Sequence, residues 1–377
     1  KNPGHEPRQW GGISLKQKYY DPQGHANEYP DYGCNLKYAS QVGEQWRVKS
    51  GRSIYASAVC WKNSVFVGDV TGLMTAYDKA TGNECWHFQA DKKIVGTPAV
   101  VGGVLVFGST GNSIYGLEAK TGRKLWQIKT TNPVMGAVAT DGKTAYIGGS
   151  DNKMHAIDAR TGRERWCFDG VKGYVVTRPL LTQGMVVFGA WDSKLYALSQ
   201  KDGHLLWTWN HPLGGLHYSP AQVWPVANKE AIYIADPQRA LTAISLKDGK
   251  TLWRTFRSKV RESIGISEDG QRIFAKTMQD SIVCYKATAD AAQELWATNC
   301  SFGYEHASSM MPVTDGTVYS STKDGLIMAL DNRSGSVRWM YKVGGSLVNT
   351  VTPVDGNHLI TTSTDGDIVM LESRDKK

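Results

Sequence analysis

Between residues 174 and 306 the chain gathers side chains able to hold an anion against a flat apolar surface. The cations are Arg178, Arg239 and Arg261, and the histidines are His217 and His306. The aromatics are Tyr174, Trp191, Tyr218 and Trp224, and the acids are Glu262 and Glu305. Arginine grips carboxylates through paired hydrogen bonds, and tryptophan or tyrosine stacks on rings. A uronic acid or a quinone carboxylate has both features. The same arginines can instead pair with Glu262 or Glu305 and simply fill space, so both readings stay open. A histidine beside a tyrosine can act as acid and base. Nothing in the spacing puts such a pair within hydrogen-bond reach, and no catalytic residue is assigned.

Cysteine chemistry has little footing. Cys34, Cys60, Cys85, Cys167, Cys284 and Cys300 are scattered, with no CxxC and no histidine pair at metal spacing. The spacing therefore offers no zinc site, and scattered buried thiols are expected. Cys85 and Cys167, each next to a repeated tryptophan, read as packing residues.

The elements that must position these groups repeat. Trp46, Trp86, Trp126, Trp166, Trp207, Trp253, Trp296 and Trp339 recur every 40 to 46 residues. A turn whose glycine lies four residues ahead precedes most of them: Gly82, Gly122, Gly162, Gly203, Gly249 and Gly335. The unit ending at Trp296 has Ala289 to Ala292 there instead. Two short apolar strands, separated by a Gly or Asp turn, come before each turn. About four strands in about 42 residues is a β-meander blade.

The ends set the count. The first tryptophan unit, Glu44 to Val48, has no strands of its own before it. The last, Leu347 to Glu372, has no tryptophan after it. One blade built from both termini resolves both and leaves no open sheet edge. The expected fold is all-β: an eight-bladed β-propeller of four-stranded antiparallel blades spanning 44–377. Its tryptophans pack between blades. Residues 1–43, aromatic and rich in proline and glycine, are expected to form an extended arm.

The stretch Gly189 to Trp207, GAWDSKLYALSQKDGHLLW, resembles the pyrroloquinoline-quinone (PQQ) repeat, and the resemblance runs from 44 to 372. It implies a quinoprotein-like propeller. One branch of that superfamily oxidises alcohols or sugars with PQQ and Ca²⁺ on the axis. The alcohol-oxidising members often carry adjacent cysteines, and this chain has no such pair. Another branch is non-catalytic and includes the lipoprotein that assists outer-membrane barrel assembly, which is similar in size. The motif builds blades and does not itself specify a ligand.

In such a ring, the loops leading into the first strands share one face with the turns between second and third strands. That face, called the front below, is expected to open on the channel. Counting back from the second strands gives an innermost column of Ser57, Thr97, Ala137, Arg178, Trp224, Gly265, Met311 and Thr352. Arg178 and Trp224 depart from its small or neutral character. The leading loops supply Tyr174, His217, Tyr218, Arg261, Glu262, Glu305 and His306, and the same-face turns supply Trp191 and Arg239.

The 377 residues are 41% hydrophobic and 21% charged, an ordinary globular balance. The net charge of +8 suits anionic partners, but no run of five basic residues focuses it, so no nucleic-acid partner is expected. No apolar run approaches the roughly 18 residues of a membrane helix. The chain starts at Lys1, which suggests a mature form from which a leader was removed. The reading is a secreted or periplasmic binding or scaffold module, monomeric, with no cofactor. Its partner would be an anionic glycan, a small anion or another envelope protein. The alternative is an enzyme using the same funnel, either a PQQ- and calcium-dependent dehydrogenase or a sugar-acid lyase or hydrolase.

Overall fold

A computed structural model describes residues 41–374, apart from the side chain of Tyr218. Residues 1–40, which hold most of the expected arm and Cys34, lie outside the described residues. The described chain forms 32 strands in eight four-stranded antiparallel sheets. Blades one to seven are each four consecutive strands, beginning with Val59–Trp61, Ser64–Gly68, Leu73–Asp78 and Glu84–Gln89. Blade eight takes Thr352–Pro353, His358–Thr362 and Asp367–Ser373 from the C-terminal side, and Val42–Lys49 as its outer strand. Pairing runs from Val42↔Ser373 to Lys49↔Asp367. The ring is thus closed as the repeat pattern requires, by a strand that starts two residues before Glu44.

Strand composition follows position. Second and third strands lie between two neighbouring blades, so both faces are covered. Val104–Ser109 is buried at every residue. Outer strands meet solvent on one side, and Glu84–Gln89 alternates between exposed and half-buried. The apolar core is a ring of eight clusters, one at each blade junction. Phe66 and Met74 meet Leu105 and Phe107 between blades one and two. Trp46 and Val65 meet Ile360 and Met370 across the closure.

The repeated tryptophan acts as an inter-blade latch. In seven of the eight, among the described residues, the indole N–H donates to a backbone carbonyl of the next blade, as from Trp46 to Lys79 (2.9 Å), Trp86 to Ala119 (3.2 Å) and Trp126 to Ala159 (2.7 Å). The turn glycine lies flat on that ring. Gly122 has φ +76°, and a Cβ there would come within 2.5 Å of Trp86. The turn therefore needs both a left-handed backbone and no side chain. Gly122→Ala is expected to cost about 1–3 kcal/mol, read as a lower urea midpoint at unchanged slope. Where the glycine is missing, the latch survives: Trp253 donates to Thr288 at 2.9 Å.

The aspartates that open three of the turns, Asp78, Asp158 and Asp331, are tied to the backbone. One oxygen of Asp331 accepts from the backbone N–H groups of Arg333 and Ser334, and Arg338 binds the other at 2.8 Å. Burial works against the Asp331 charge, but these donors prevail and hold its pKa down at about 2. At Asp158 the Arg165 hydrogen bond leads, and the pKa is again about 2. A depressed carboxylate stabilises the fold above its unfolded pKa and loses that contribution as pH falls through the folded one. The urea midpoint should be flat from about pH 7 to 5 and fall steeply between about pH 4 and 2.

Candidate functional site

Strand pairing fixes which residues share a level in the channel. Val59 pairs Phe66, Leu180 pairs Val187, Val226 pairs Tyr233, Gly265 pairs Phe274 and Thr352 pairs Ile360. Two residues before each paired position, the channel level reads Ser57, Arg178, Trp224, Ser263 and Thr350. The register thus offers Ser263 and Thr350 where the count from sequence put Gly265 and Thr352, yet Gly265 and Thr352 line the channel wall and fully buried Ser263 does not. In blade seven it places Met310 where the count put Met311. Arg178 and Trp224 keep their places beside each other.

A channel cavity of about 820 Å³ includes Arg178 and Trp224 among its walls, with Ser57, Thr97, Met310 and Thr350 at the same level. It runs from there to Trp61, Thr140, Leu181 and Val354, which adjoin the hairpins of the back face. Tyr174, Trp191, His217, Arg239, Arg261, Glu262 and His306 do not line it. The expected single funnel on the front face is therefore split: Arg178 and Trp224 belong to the channel, and the other candidates lie elsewhere.

Arg178 is exposed, yet the protein around it disfavours its charge and lowers its pKa. No hydrogen bond or ion pair ties it to another described residue. Glu262 is buried, has φ +55°, and accepts from the Ser308 hydroxyl at 2.7 Å. Glu305 is buried and accepts from the N–H groups of Ala307 and Lys323, both at 2.8 Å. Both acids hold leading loops together, and neither pairs with Arg178 or Arg261. The space-filling alternative therefore fails in the form the sequence suggested.

The front face carries the remaining candidates in two groups. Tyr174 and Trp191 are exposed, and the Trp191 N–H donates to the Tyr174 carbonyl at 3.0 Å. Beside them, the long loop 210–223 holds two short 3₁₀ turns and exposes Leu213 (56%) and Leu216 (67%). His217 is exposed on the same loop. Tyr218 contributes backbone to the turn, and its side chain lies outside what is described. The second group surrounds Arg239, which sits at φ +70° in a front turn of blade five. With Arg257, Lys259 and Tyr304 it lines a depression of about 470 Å³. Arg257 approaches Glu294 at 3.6 Å, an exposed pair of little energetic weight. Arg261 is half-buried nearby, and exposed His306 has its ring 6.0 Å from that of Tyr304.

Sequence reasoning missed Lys276. Its ammonium is buried and donates to the carbonyls of Ser321 (2.7 Å) and Ala307 (3.0 Å), beneath the loop holding Glu305. Burial lowers its pKa to about 8, against the pull of Glu305. A signal existed, because the equivalent second-strand position is Gly68, Gly108, Gly148 and Gly189 in the first four blades.

Among the described residues, burial works against the thiolate at three cysteines. Cys60 reaches the cavity wall, but burial pushes its pKa up to about 11, and burial raises Cys284 and Cys300 to about 12. Cys85 and Cys167 are exposed, because residues flanking an outer-strand tryptophan point outward. The expectation that they pack inside is corrected. Among the described residues no carboxylate lines the channel cavity. Ca²⁺ takes six to eight oxygens and relies on carboxylates, so this wall does not suit the calcium that accompanies PQQ.

Comparison with known proteins agrees with this picture. The family described as outer membrane protein assembly factor BamB matches residues 39–167, 129–301 and 279–377. The BamB of Yersinia pestis is 26% identical over 203 residues, which is 54% of this chain and 42% of that protein. The matched stretch thus spans less than half of that relative. The BamB of Nitrosomonas eutropha is 23% identical over 359 residues, 90% of this chain and 74% of that one. Among solved structures, BamB from Moraxella catarrhalis superposes with a TM-score of 0.71 at 16% identity, covering 88% of this chain and 99% of that one. A quinohemoprotein alcohol dehydrogenase from Pseudomonas putida gives 0.69 at 12% identity, covering 89% and 77%, a likeness of fold alone. With a family match over nearly the whole chain and a ring of PQQ-like blades, the protein belongs to the outer membrane protein assembly factor BamB family.

Proposed function

We propose that this chain is a non-catalytic periplasmic scaffold at the outer membrane, where it docks a protein of the barrel-assembly apparatus. The observation that carries the reading is the exposed apolar group of Tyr174, Trp191, Leu213 and Leu216 on one face of blades four and five. Large apolar side chains clustered on a rigid surface mark protein contacts. Exposed Lys172, Arg239 and Lys259 share that face, so the partner would present an apolar patch rimmed by acids. Among the described residues the channel wall holds no carboxylate, and burial pushes the pKa of its Cys60 thiol up to about 11.

Co-purification of the full chain with barrel-assembly proteins from its native envelope tests this. Trp191→Ala should cost about 2 kcal/mol or more of binding, roughly 30-fold in Kd, and Leu216→Asp should abolish capture, with melting temperatures unchanged. Capture by both variants at the wild-type level would refute the reading.

A second reading rests on Arg178, a channel cation without a hydrogen-bond or ion-pair partner among the described residues. A small anion there would gain a charge-assisted hydrogen bond in a partly desolvated site. It predicts that carboxylate-bearing sugars or phosphates raise the melting temperature of the wild type and not of Arg178→Ala. Equal shifts in both proteins would remove it.

A further inference from the structure

Outside both sites, His155, Glu164 and Cys167 bring a nitrogen, an oxygen and a sulfur together on blade three, all within 4.8 Å of one another. His155 lies on the third strand, Met154–Asp158, directly opposite Cys167 on the outer strand, Glu164–Phe168. A register shift follows in that pairing, between Ala156 and Ile157. It brings Glu164 back beside His155, with Glu164 Oε2 at 2.7 Å from Nδ1. The other ring nitrogen faces Asp151, whose Oδ2 is 2.7 Å from Nε2. His155 and Asp151 are almost wholly shielded, while Glu164 and Cys167 open to solvent.

This arrangement has a specific consequence. Buried Asp151 accepts the Nε2 proton and fixes the tautomer. Nδ1 then faces the Glu164 carboxylate at 2.7 Å. In the metal-free chain a proton on Nδ1 satisfies that contact, and a divalent ion ligating Nδ1 takes the proton's place. A histidine whose outer N–H is held by a buried carboxylate is the second-shell pattern of metal-ligating imidazoles, in which the carboxylate orients the ring and raises its basicity. The donors on the other side are imidazole, carboxylate and thiolate, a borderline-soft set that suits Zn²⁺. Three protein donors at a solvent-open edge leave a fourth tetrahedral position for water.

We propose that His155 Nδ1, Glu164 and Cys167 bind a zinc-class divalent ion on the outer edge of blade three, with Asp151 positioning the ring. The spacing in the chain conceals the set, because cross-strand pairing rather than a short motif brings the donors together. The site lies in a different blade from both the docking face and Arg178, so it stands independently of the function proposed above.

Cobalt(II) titration of the full, metal-stripped chain tests it, since Co²⁺ reports tetrahedral thiolate ligation by its absorption. The expected result is one equivalent of Co²⁺ bound, with a thiolate-to-cobalt charge-transfer band that Zn²⁺ bleaches. Cys167→Ser should abolish the band, and Cys85→Ser should retain it. Asp151→Asn should weaken binding about 10- to 100-fold while leaving the band's position. Because Cys167 is exposed, its substitution does not threaten folding. Absence of the band in the wild type, or its persistence in Cys167→Ser, would overturn the proposal. In the former case a protonated imidazole would supply the cation between the two acids.

Discussion

A chain shortened to begin at Ser50 should lose its cooperative melting transition and associate through an exposed strand edge. The missing strand, Val42–Lys49, pairs along its length with Asp367–Ser373 and is the outer strand of blade eight. Its Val42 belongs to the core between blades seven and eight, and its Trp46 to the core between blades eight and one. Trp46 also latches blade one through the Lys79 carbonyl. Truncating one buried tryptophan to alanine costs about 3–5 kcal/mol, and whole proteins hold only about 5–15 kcal/mol. Removing that side chain, its strand pairing and Val42 together is therefore comparable to the entire stability. Trp46→Ala in the full chain is the graded control and should lose about 3–5 kcal/mol by urea denaturation. A shortened chain that melts like the full one would show that the ring does not depend on this closure.

The second large effect is expected at Asp236, which is fully buried beneath the front face of blade five. Its Oδ2 accepts from Arg254 at 2.7 and 3.1 Å and from the Thr242 hydroxyl at 2.6 Å, and its Oδ1 accepts from the Gln238 N–H at 2.8 Å. Asp236→Ala removes the counter-charge of Arg254 and leaves several donors unpaired. Breaking one side of a buried pair costs about 3–5 kcal/mol. The change also reaches the proposed docking face. His211 Nε2 lies 3.6 Å from Asp236, and His211 Nδ1 accepts from the Leu213 N–H at 3.2 Å. The loop bearing Leu213 and Leu216 is thus anchored through this aspartate. Urea midpoints of Asp236→Ala and Asp236→Asn check the energy. The asparagine, which keeps the acceptor and drops the charge, should fall between alanine and wild type.

The architecture was legible because each blade must present a tryptophan to the same turn of its neighbour. That requirement recurs at nearly constant spacing and leaves a glycine where the ring lies. The closure was legible because an outer strand without inner partners has one place to go. The channel column was less so. In blades six and eight a fixed count back from the second strand is thrown off by a longer first hairpin: Ile266 pairs Ile273 and Pro353 pairs Leu359, whereas Trp61 pairs Ser64. Arg178 and Trp224 were found because their hairpins are short. The front-face residues could be assigned to a face but not to a common pocket, because loop conformations set by Glu262, Glu305 and Lys276 decide which side chains meet. Arg257 and Lys259 escaped notice as ordinary surface cations until the fold put them around the depression with Arg239. The donor set at His155 was invisible for a related reason, since strand register alone creates it.

The front of blades four and five is the surface by which, as proposed above, this scaffold holds an envelope protein. The most direct test places a photoreactive amino acid at Leu216 and, separately, at Leu125, an exposed position on the outer rim of blade two, and irradiates each full chain in its native envelope. The account predicts a discrete adduct with a barrel-assembly protein from position 216 and none from position 125. Equal adducts from both positions, or an adduct from 125 alone, would contradict it.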